Sequence, residues 1–117
     1  MKILGIDPGF AITGYGVIDY VGNKFKLIDS GAITTKAGES FPLRLAKIHI
    51  DLTDLIKTHK PDAISVEELF FNQNTKTALQ VAHARGVVIT AGCLENIPTY
   101  EYTPLQIKQA VAGFRKS

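Results

Sequence analysis

The chain has 117 residues, a hydrophobic content of 45% and a formal net charge of +2 at pH 7. This length accommodates one domain with one core, and the hydrophobic content excludes a disordered chain. So small a net charge does not by itself indicate a nucleic-acid partner, although no acidic residue follows Glu101 and the last part of the chain is therefore basic.

Cysteine usage and apolar run lengths narrow the class of protein further. Cys93 is the only cysteine, which excludes an internal disulfide framework and a cysteine-based metal site. Because its neighbours are small and apolar, we expect a buried structural thiol. The first residues lack the pattern of a secretory leader, and no apolar run approaches membrane-spanning length. These features predict a soluble, cytoplasmic protein.

The first predicted element is a strand that ends in a carboxylate. The apolar run that finishes at Ile6 suits a strand buried on both faces. Pro8 and Gly9 then end it, because proline offers no ladder donor and glycine tolerates positive φ. Asp7 is left at the carboxyl tip of the strand, where parallel sheets place their chemistry. A plain Asp-Pro-Gly turn is the alternative interpretation.

Two further strands are predicted from Gly14 to Tyr20 and from Lys24 to Thr35, joined by a compact turn at 21–23. They extend the first strand into a meander. If neighbouring strands pair antiparallel, the third strand runs parallel to the first. Gly31 interrupts the third strand and predicts a bulge there.

An amphipathic helix follows the meander. Ser40 is placed to cap it, and Pro42 falls in the first turn, where a missing N–H costs little. The apolar positions that recur at helical spacing are Leu45, Ile48, Leu52 and Leu55. The residues predicted to lie largely on the polar side are Arg44, Lys47, Asp51, Asp54 and Lys57. We expect His49 and His59 to be exposed to solvent and to have no catalytic role.

The stretch from Asp62 to Glu67 is predicted to be a strand that returns parallel to the first through a right-handed crossover. Its carboxyl end then shares an edge of the sheet with Asp7. Two carboxylates at neighbouring strand ends repel each other unless they are solvated or bridged by a cation. Glu67 and Glu68 point to opposite faces of such a strand, and the residues alone do not choose between them.

The second predicted helix, which begins near Asn74 or Thr75 and runs to Leu94, is apolar nearly all round and rich in small residues. Such a helix is normally buried on two sides. One side is expected to face the sheet, and the other a second copy of the protein; a single helix in a larger core is the alternative. A short strand at 98–102 and a third helix, begun by Thr103-Pro104 and ended near Gly113, complete the order βββαβαβα.

Four stretches together carry a family pattern. They are Gly5-Ile6-Asp7-Pro8-Gly9 with Thr13-Gly14-Tyr15-Gly16, Val66-Glu67-Glu68-Leu69-Phe70-Phe71 with Asn74, Ala84-Arg85-Gly86-Val87, and Gln106-Ile107-Lys108-Gln109-Ala110-Val111-Ala112-Gly113. In this order and spacing they resemble the RuvC-type Holliday junction resolvases, which have the ribonuclease H-like fold. The resemblance implies one ribonuclease H-like nuclease domain over residues 1–117, with a mixed five-stranded sheet and packed helices.

The resemblance also implies a function in DNA recombination and repair. A family member is a homodimeric endonuclease that uses Mg²⁺ or Mn²⁺ to cut four-way junction DNA, in company with a branch-migration helicase. By position, Asp7 and Glu67 correspond to the first two metal ligands and catalytic residues. Phe70 corresponds to an aromatic residue that stacks on an unpaired base, whereas Phe71 is expected in the core.

Several basic residues are hypothesised to bind DNA. Lys108 matches a family residue near the scissile phosphate, and Lys76, Arg115 and Lys116 are further candidates for phosphate contacts. Such contacts predict that affinity falls steeply with salt. For each lysine taken singly, and for Lys76 above all, a solvated surface charge explains the sequence equally well.

The chain departs from the family at its carboxyl end, where the family carries further acidic metal ligands. No acid after Glu101 can substitute for them, so the domain is C-terminally incomplete relative to the family and is expected to bind metal weakly and cleave little or not at all. Three rival interpretations remain. They are an ATPase with an actin-like phosphate loop, a ribonuclease H-like enzyme acting on ribosomal RNA precursors, and a non-catalytic junction-binding module.

Overall fold

A computed structural model describes residues 1–9, 12–36, 38–67 and 75–102. Within them the strands and helices are β1 (Lys2–Asp7), β2 (Ile12–Val21), β3 (Lys24–Thr34), α1 (Phe41–His59), β4 (Ala63–Glu67), α2 (Thr75–Leu94) and β5 (Thr99–Tyr102). The strands form one five-stranded mixed sheet in the order β3-β2-β1-β4-β5. This order confirms the predicted α/β, ribonuclease H-like fold; the predicted third helix lies outside the described residues.

The hairpin between β2 and β3 closes with two residues that both adopt left-handed backbone conformations. Gly22 has φ +57° and Asn23 has φ +63°, and Val21 pairs with Lys24 across the turn. Positive φ at both central positions is the geometry whose twist matches a two-residue hairpin. The predicted turn is therefore confirmed, although β2 begins at Ile12, two residues earlier than expected.

The irregularity in β3 lies three residues before the predicted one. Val17 pairs with Asp29 whereas Ile18 pairs with Leu27, so Ile28 is the extra residue of a bulge. The prediction of a bulge at Gly31 is wrong. A Cβ at Gly31 would lie 2.7 Å from the hydroxyl oxygen of Tyr15, its partner across the pair. Glycine is needed there because the tyrosine ring occupies the space of a side chain.

Both helices pack on one face of the sheet. β1 runs antiparallel to β2 and parallel to β4, as the crossover through α1 predicts. The buried core on this face comprises Leu4, Ile6, Val17, Ile33, Ile64 and Val66 from the strands, Ile48, Leu52 and Ile56 from α1, and Ala84, Val88 and Ala91 from α2. On the opposite face, Leu27 and Tyr100 remain more than half exposed, and no described helix lies over them.

Two residues of α1 are less exposed than their predicted positions suggest. Arg44, assigned to the polar side, is only 7% exposed, and its Nε donates a hydrogen bond of 2.9 Å to Oγ1 of Thr35. His59, expected in solvent, is half-buried with its Nε2 3.1 Å from a carboxylate oxygen of Asp29. The His59 side chain reaches from the helix to β3 and that of Arg44 to the residue just after β3, partners that helical spacing alone does not reveal.

The ends of α1 follow the predicted boundaries with one difference in chemistry. Ser40 occupies the N-cap position and Pro42 lies in the first turn, but the Ser40 side chain makes no capping hydrogen bond. At the other end, Lys60 adopts a left-handed conformation with φ 49°, and its backbone N–H donates to the carbonyl oxygen of Ile56. This is the usual way in which a helix closes its last turn.

Helix α2 packs closely on the sheet along one side and is exposed along the other. A Cβ at Gly92 would lie 2.9 Å from Cδ1 of Ile64 and 2.8 Å from Oγ1 of Thr99, so this glycine lets the helix approach β4 and β5. Cys93 is exposed, and the expected buried thiol is therefore wrong. Among the described residues, neither helix combines the length and the apolar content that crossing a membrane requires.

Candidate metal-binding site

The carboxyl ends of β1 and β4 bring Asp7 and Glu67 to the same step of the sheet. The parallel register pairs Ile6 with Val66 at its last step, and the two acids are the next residue on each strand. Adjacent strands are about 4.8 Å apart. The register therefore sets the two acidic residues side by side at the edge where a parallel sheet forms its crevice.

The two acids lie on the face opposite the helices. Successive side chains of a strand alternate between faces, and the residues immediately before the acids, Ile6 and Val66, are both in the core beneath α1 and α2. Asp7 is exposed and Glu67 is half-buried. The exposed Asp7 is accessible to a hydrated cation or a phosphate.

Small residues line this face of the sheet beside Asp7, so few side chains project there. Gly14 pairs with Asp7, and a Cβ added to it would lie 4.0 Å from the Cβ of the acid. One step back along the sheet, Gly5 lies between Gly16 and Ser65, and a Cβ there would be 3.4 Å from the serine hydroxyl. The glycines thus leave room for a large polyanion to approach the carboxylates.

The turn after Asp7 depends on Gly9 for a steric reason. A Cβ at this position would collide with the carbonyl oxygen of Ile12. The expected positive φ is absent, since Gly22 is the one glycine with positive φ in the described part of the chain. Gly9 is therefore required by the close return of the chain into β2, which fixes the backbone next to the acid.

The donor set suits a hard divalent cation but is small. Asp7 and Glu67 offer carboxylate oxygens, the ligands that Mg²⁺ and Mn²⁺ prefer. Residues 1–9, 12–36, 38–67 and 75–102 contain no cluster of three or more His, Cys, Asp or Glu side chains suited to a metal. The two acids alone would leave most of the coordination sphere to water and phosphate oxygens.

The predicted DNA-binding residues fall almost entirely outside the described part of the chain. Phe70, Lys108, Arg115 and Lys116 lie outside it, as does Glu68, the rival of Glu67. Lys76 lies in the first turn of α2, but its side chain is not among those described. The assignment of these residues to DNA binding stays a prediction.

An ion pair on the helix-covered face, one residue from the end of β5, was not predicted. Arg85 of α2 bonds Glu101 of β5, and the next residue of β5, Tyr102, pairs with Glu67. The Arg85 side chain is 18% exposed, which indicates a partly desolvated contact. The signal in the sequence was a single arginine in the apolar middle of α2, but only the tertiary structure identifies its partner.

The fold and this pair of acids define a ribonuclease H-like domain with a candidate cation site at the carboxyl edge of its sheet. The profile of the family described as Crossover junction endodeoxyribonuclease RuvC matches residues 3–117. The chain therefore belongs to the RuvC family.

Individual relatives agree with the family match. The Crossover junction endodeoxyribonuclease RuvC of Alkaliphilus metalliredigens is 55% identical over 117 residues, which are 100% of this chain and 71% of that protein. The protein of the same description from Ruminiclostridium cellulolyticum is 56% identical, over 100% of this chain and 70% of its own length.

Solved structures show the same relationship. The structure described as T. thermophilus RuvC in complex with Holliday junction substrate has a TM-score of 0.88 at 34% identity, covering 96% of this chain and 72% of that one. The fowlpox virus Holliday junction resolvase, with a TM-score of 0.56 at 19% identity, covers 89% and 62%. At that identity the second likeness shows the fold alone.

Proposed function

We propose that this protein is a structure-selective endonuclease that binds four-way DNA junctions and hydrolyses phosphodiester bonds with the help of a divalent metal. The observation that carries the proposal is the register that sets Asp7 beside Glu67 at the open edge of the sheet, in a chain of the RuvC family. The RuvC of T. thermophilus has been solved with a Holliday junction substrate, which supports the same substrate here.

Asp7 and Glu67 are proposed to hold Mg²⁺, with Mn²⁺ as a substitute. The bound metal would activate water and stabilise the leaving oxygen of the phosphodiester. The chain's own contribution is to fix two carboxylates on adjacent strands and to keep the glycine-rich face beside them low enough for DNA. Hydrogen-bonded strands hold these carboxylates more rigidly than loops would.

The remaining parts of the proposal concern partners and location. A homodimer with two equivalent sites suits a junction with near two-fold symmetry. Phe70 is proposed to stack on a base near the crossover, and Lys108 with Lys76, Arg115 and Lys116 to contact phosphates. The proposed setting is the cytoplasm, with a branch-migration helicase as partner.

A second function, junction binding without cleavage, is favoured by one specific observation. The described residues gather two acids at the edge and no cluster of three metal-binding side chains. We therefore expect the 117-residue chain to bind metal weakly and to cleave little or not at all. The two functions share a substrate and differ in turnover.

Two measurements test these functions. Gel-shift titration of the chain on four-way and linear duplex DNA of equal length should show preference for the junction, since junction recognition depends on shape. Cleavage of the same junction with Mg²⁺ or Mn²⁺ should then be compared with that by a version extended to the length of the relatives. Restored cleavage in the extended version would support the nuclease.

Three results would decide against the nuclease. Equal affinity for both DNAs would remove junction selectivity. If both versions bind the junction selectively but do not cleave it, even at high Mn²⁺, the protein is the non-catalytic junction-binding module. Faster cleavage of structured RNA than of junction DNA would favour the RNA enzyme.

A further inference from the structure

Three cationic residues meet where β3 ends and α1 begins. The Nζ of Lys47 donates a hydrogen bond of 2.7 Å to the carbonyl oxygen of Thr34, and the Nε of Arg44 donates one of 2.9 Å to Oγ1 of Thr35. Lys36, the next residue of the chain, is exposed. We call this set, Thr34, Thr35, Lys36, Arg44 and Lys47, the β3–α1 corner.

The β3–α1 corner keeps a positive charge after its acidic neighbours are considered. Asp51 lies 3.8 Å from the Nζ of Lys47, but both side chains are about 40% exposed, so solvent screens the pair. Glu39 is the other acid at the corner, its backbone N–H bonded to the carbonyl of Lys36. Asp54 shares a cavity with Asp51, but it lies almost a full helical turn beyond Asp51. The first turn of α1 contains no acidic residue. Three cations therefore face two acids.

The β3–α1 corner lies at the same edge of the sheet as Asp7 and Glu67. β2 is antiparallel to both β1 and β3, so β3 runs parallel to β1 and ends at the carboxyl edge. One strand separates them, and Thr34 lies two residues beyond Ala32, the residue of β3 that is level with Asp7. About 10 Å across the sheet and about 7 Å along the strand place the end of β3 about 12 Å from the end of β1. A DNA strand carries a phosphate for about every 3.4 Å of helix axis, so an arm held at the acids reaches the corner within a few nucleotides.

We propose that the β3–α1 corner is a second phosphate-contact patch, which holds one arm of the DNA beside the cleavage site. Lys36 and Lys47 contact backbone phosphates, and Arg44, almost fully buried, is a positioning residue that fixes the end of β3. Such contacts orient DNA without reading its sequence. The inference rests on the proposed junction binding and adds to it the path of the arm.

The other end of the same strand provides a matched control. Lys24 and Lys26 lie beside the β2–β3 turn, at the opposite edge of the sheet from the acids. Replacing them removes the same number of charges as replacing Lys36 and Lys47, but at the far end of β3. A nonspecific effect of net charge would weaken junction binding equally in the variant that lacks Lys36 and Lys47 and in the one that lacks Lys24 and Lys26. A local contact at the β3–α1 corner would weaken it only in the first.

The test measures junction affinity by fluorescence anisotropy over a series of salt concentrations. The variant Lys36→Gln/Lys47→Gln is expected to bind more weakly at low salt, with its slope of log affinity against log salt reduced by about 0.9 for each phosphate that the variant no longer neutralises. The control Lys24→Gln/Lys26→Gln is expected to keep the wild-type slope. Because Lys47 also bonds Thr34, Lys36→Gln alone and the charge-preserving Lys47→Arg are included, with thermal melting of each variant.

The outcomes separate the two proposals. A wild-type chain that binds junctions, with equal slopes in both double variants, would overturn the corner and leave the proposed function standing. A reduced slope in Lys36→Gln, together with a wild-type slope in Lys47→Arg, would support phosphate contacts at the β3–α1 corner. A wild-type chain that shows no preference for junctions would overturn both.

Discussion

Asp7 and Glu67 reach the same edge through different local constraints. Asp7 is held by the tight turn that follows it, where the carbonyl of Ile12 leaves no room for a side chain at Gly9. Glu67 is held by its place in β4, between β1 and β5 in the sheet. Alternation places Glu67 on the face away from the core, because the preceding residue, Val66, is buried in it. The assignment of Glu67 as the metal ligand in preference to Glu68 stays a prediction.

Glu67→Gln tests this choice. In a version extended to the length of the relatives, we expect cleavage to fall by more than about 100-fold, since even the outer partners of metal ligands cost 10–100-fold when removed. Junction binding should be retained. Glu68→Gln is the matched control and should have a much smaller effect. Equal reductions in both variants, or full activity in Glu67→Gln, would contradict the assignment.

Gly9→Ala tests the steric requirement of the turn. We expect a decrease of about 1–3 kcal/mol in the free energy of unfolding, the usual cost of forcing atoms into a filled space. Gly38→Ala is the control, because a Cβ there meets no atom within 4 Å and its φ is not left-handed. That change should be neutral or stabilising by up to about 1 kcal/mol. Similar denaturation midpoints for both variants would refute the steric account.

At the scale of the elements, α2 shows that one residue type can have opposite roles on two sides of a helix. Gly92 faces β4 and β5 at close range, whereas Gly86 has no atom within 4 Å of the place of a Cβ. The sequence marks both simply as small residues in an apolar helix. Packing against the sheet is what distinguishes them.

The variants Gly92→Ala and Gly86→Ala test this difference in packing. Gly92→Ala should lower the free energy of unfolding by about 1–3 kcal/mol through overpacking. Gly86→Ala should raise it by up to about 1 kcal/mol, because alanine is the better helix former. Urea denaturation of the two variants at low protein concentration checks the signs. If both variants change the free energy of unfolding in the same direction, α2 does not pack on the sheet as described.

In helix α1, apolar spacing predicted the buried apolar residues but not the exposure of the polar ones. Its apolar spacing predicted which residues face the sheet, and Ile48 and Leu52 are buried as expected. Arg44 and His59 are also less exposed than predicted, because Thr35, just after β3, and Asp29 of β3 accept hydrogen bonds from them. A hydrogen-bonding partner distant in sequence overrides a helical pattern that counts only apolar residues.

For the whole molecule, the exposed side of α2 is a candidate surface for the second copy of the proposed homodimer. Leu79 is 55% exposed, and Gly86, Thr90 and Cys93 follow it on the same side of the helix. Two polar side chains on this side bond to the helix backbone: Thr90 donates to the carbonyl of Gly86, and Nδ1 of His83 lies 2.7 Å from the carbonyl of Leu79. This leaves a predominantly apolar surface.

Leu79→Glu is therefore expected to weaken the proposed homodimer. Burying a leucine contributes about 1.5–3 kcal/mol, so the dimer dissociation constant should rise by more than about tenfold in sedimentation equilibrium. Val21→Glu is the matched control, since Val21 is 66% exposed at the β2–β3 turn, away from α2. A monomeric wild-type chain would contradict the proposed homodimer, whereas equal weakening by both variants would place the interface elsewhere.

The sequence by itself determined the order of the elements, the meander with its turn at Gly22-Asn23, and the arrival of an acid at the end of two strands. These features depend on local periodicity and on residues with special backbone preferences, which can be read along the chain. The tertiary structure decided the bulge at Ile28, the burial of Arg44, the exposure of Cys93 and the register that sets Asp7 beside Glu67. Each of these depends on contacts between residues far apart in sequence, and such contacts exist only once the sheet has formed.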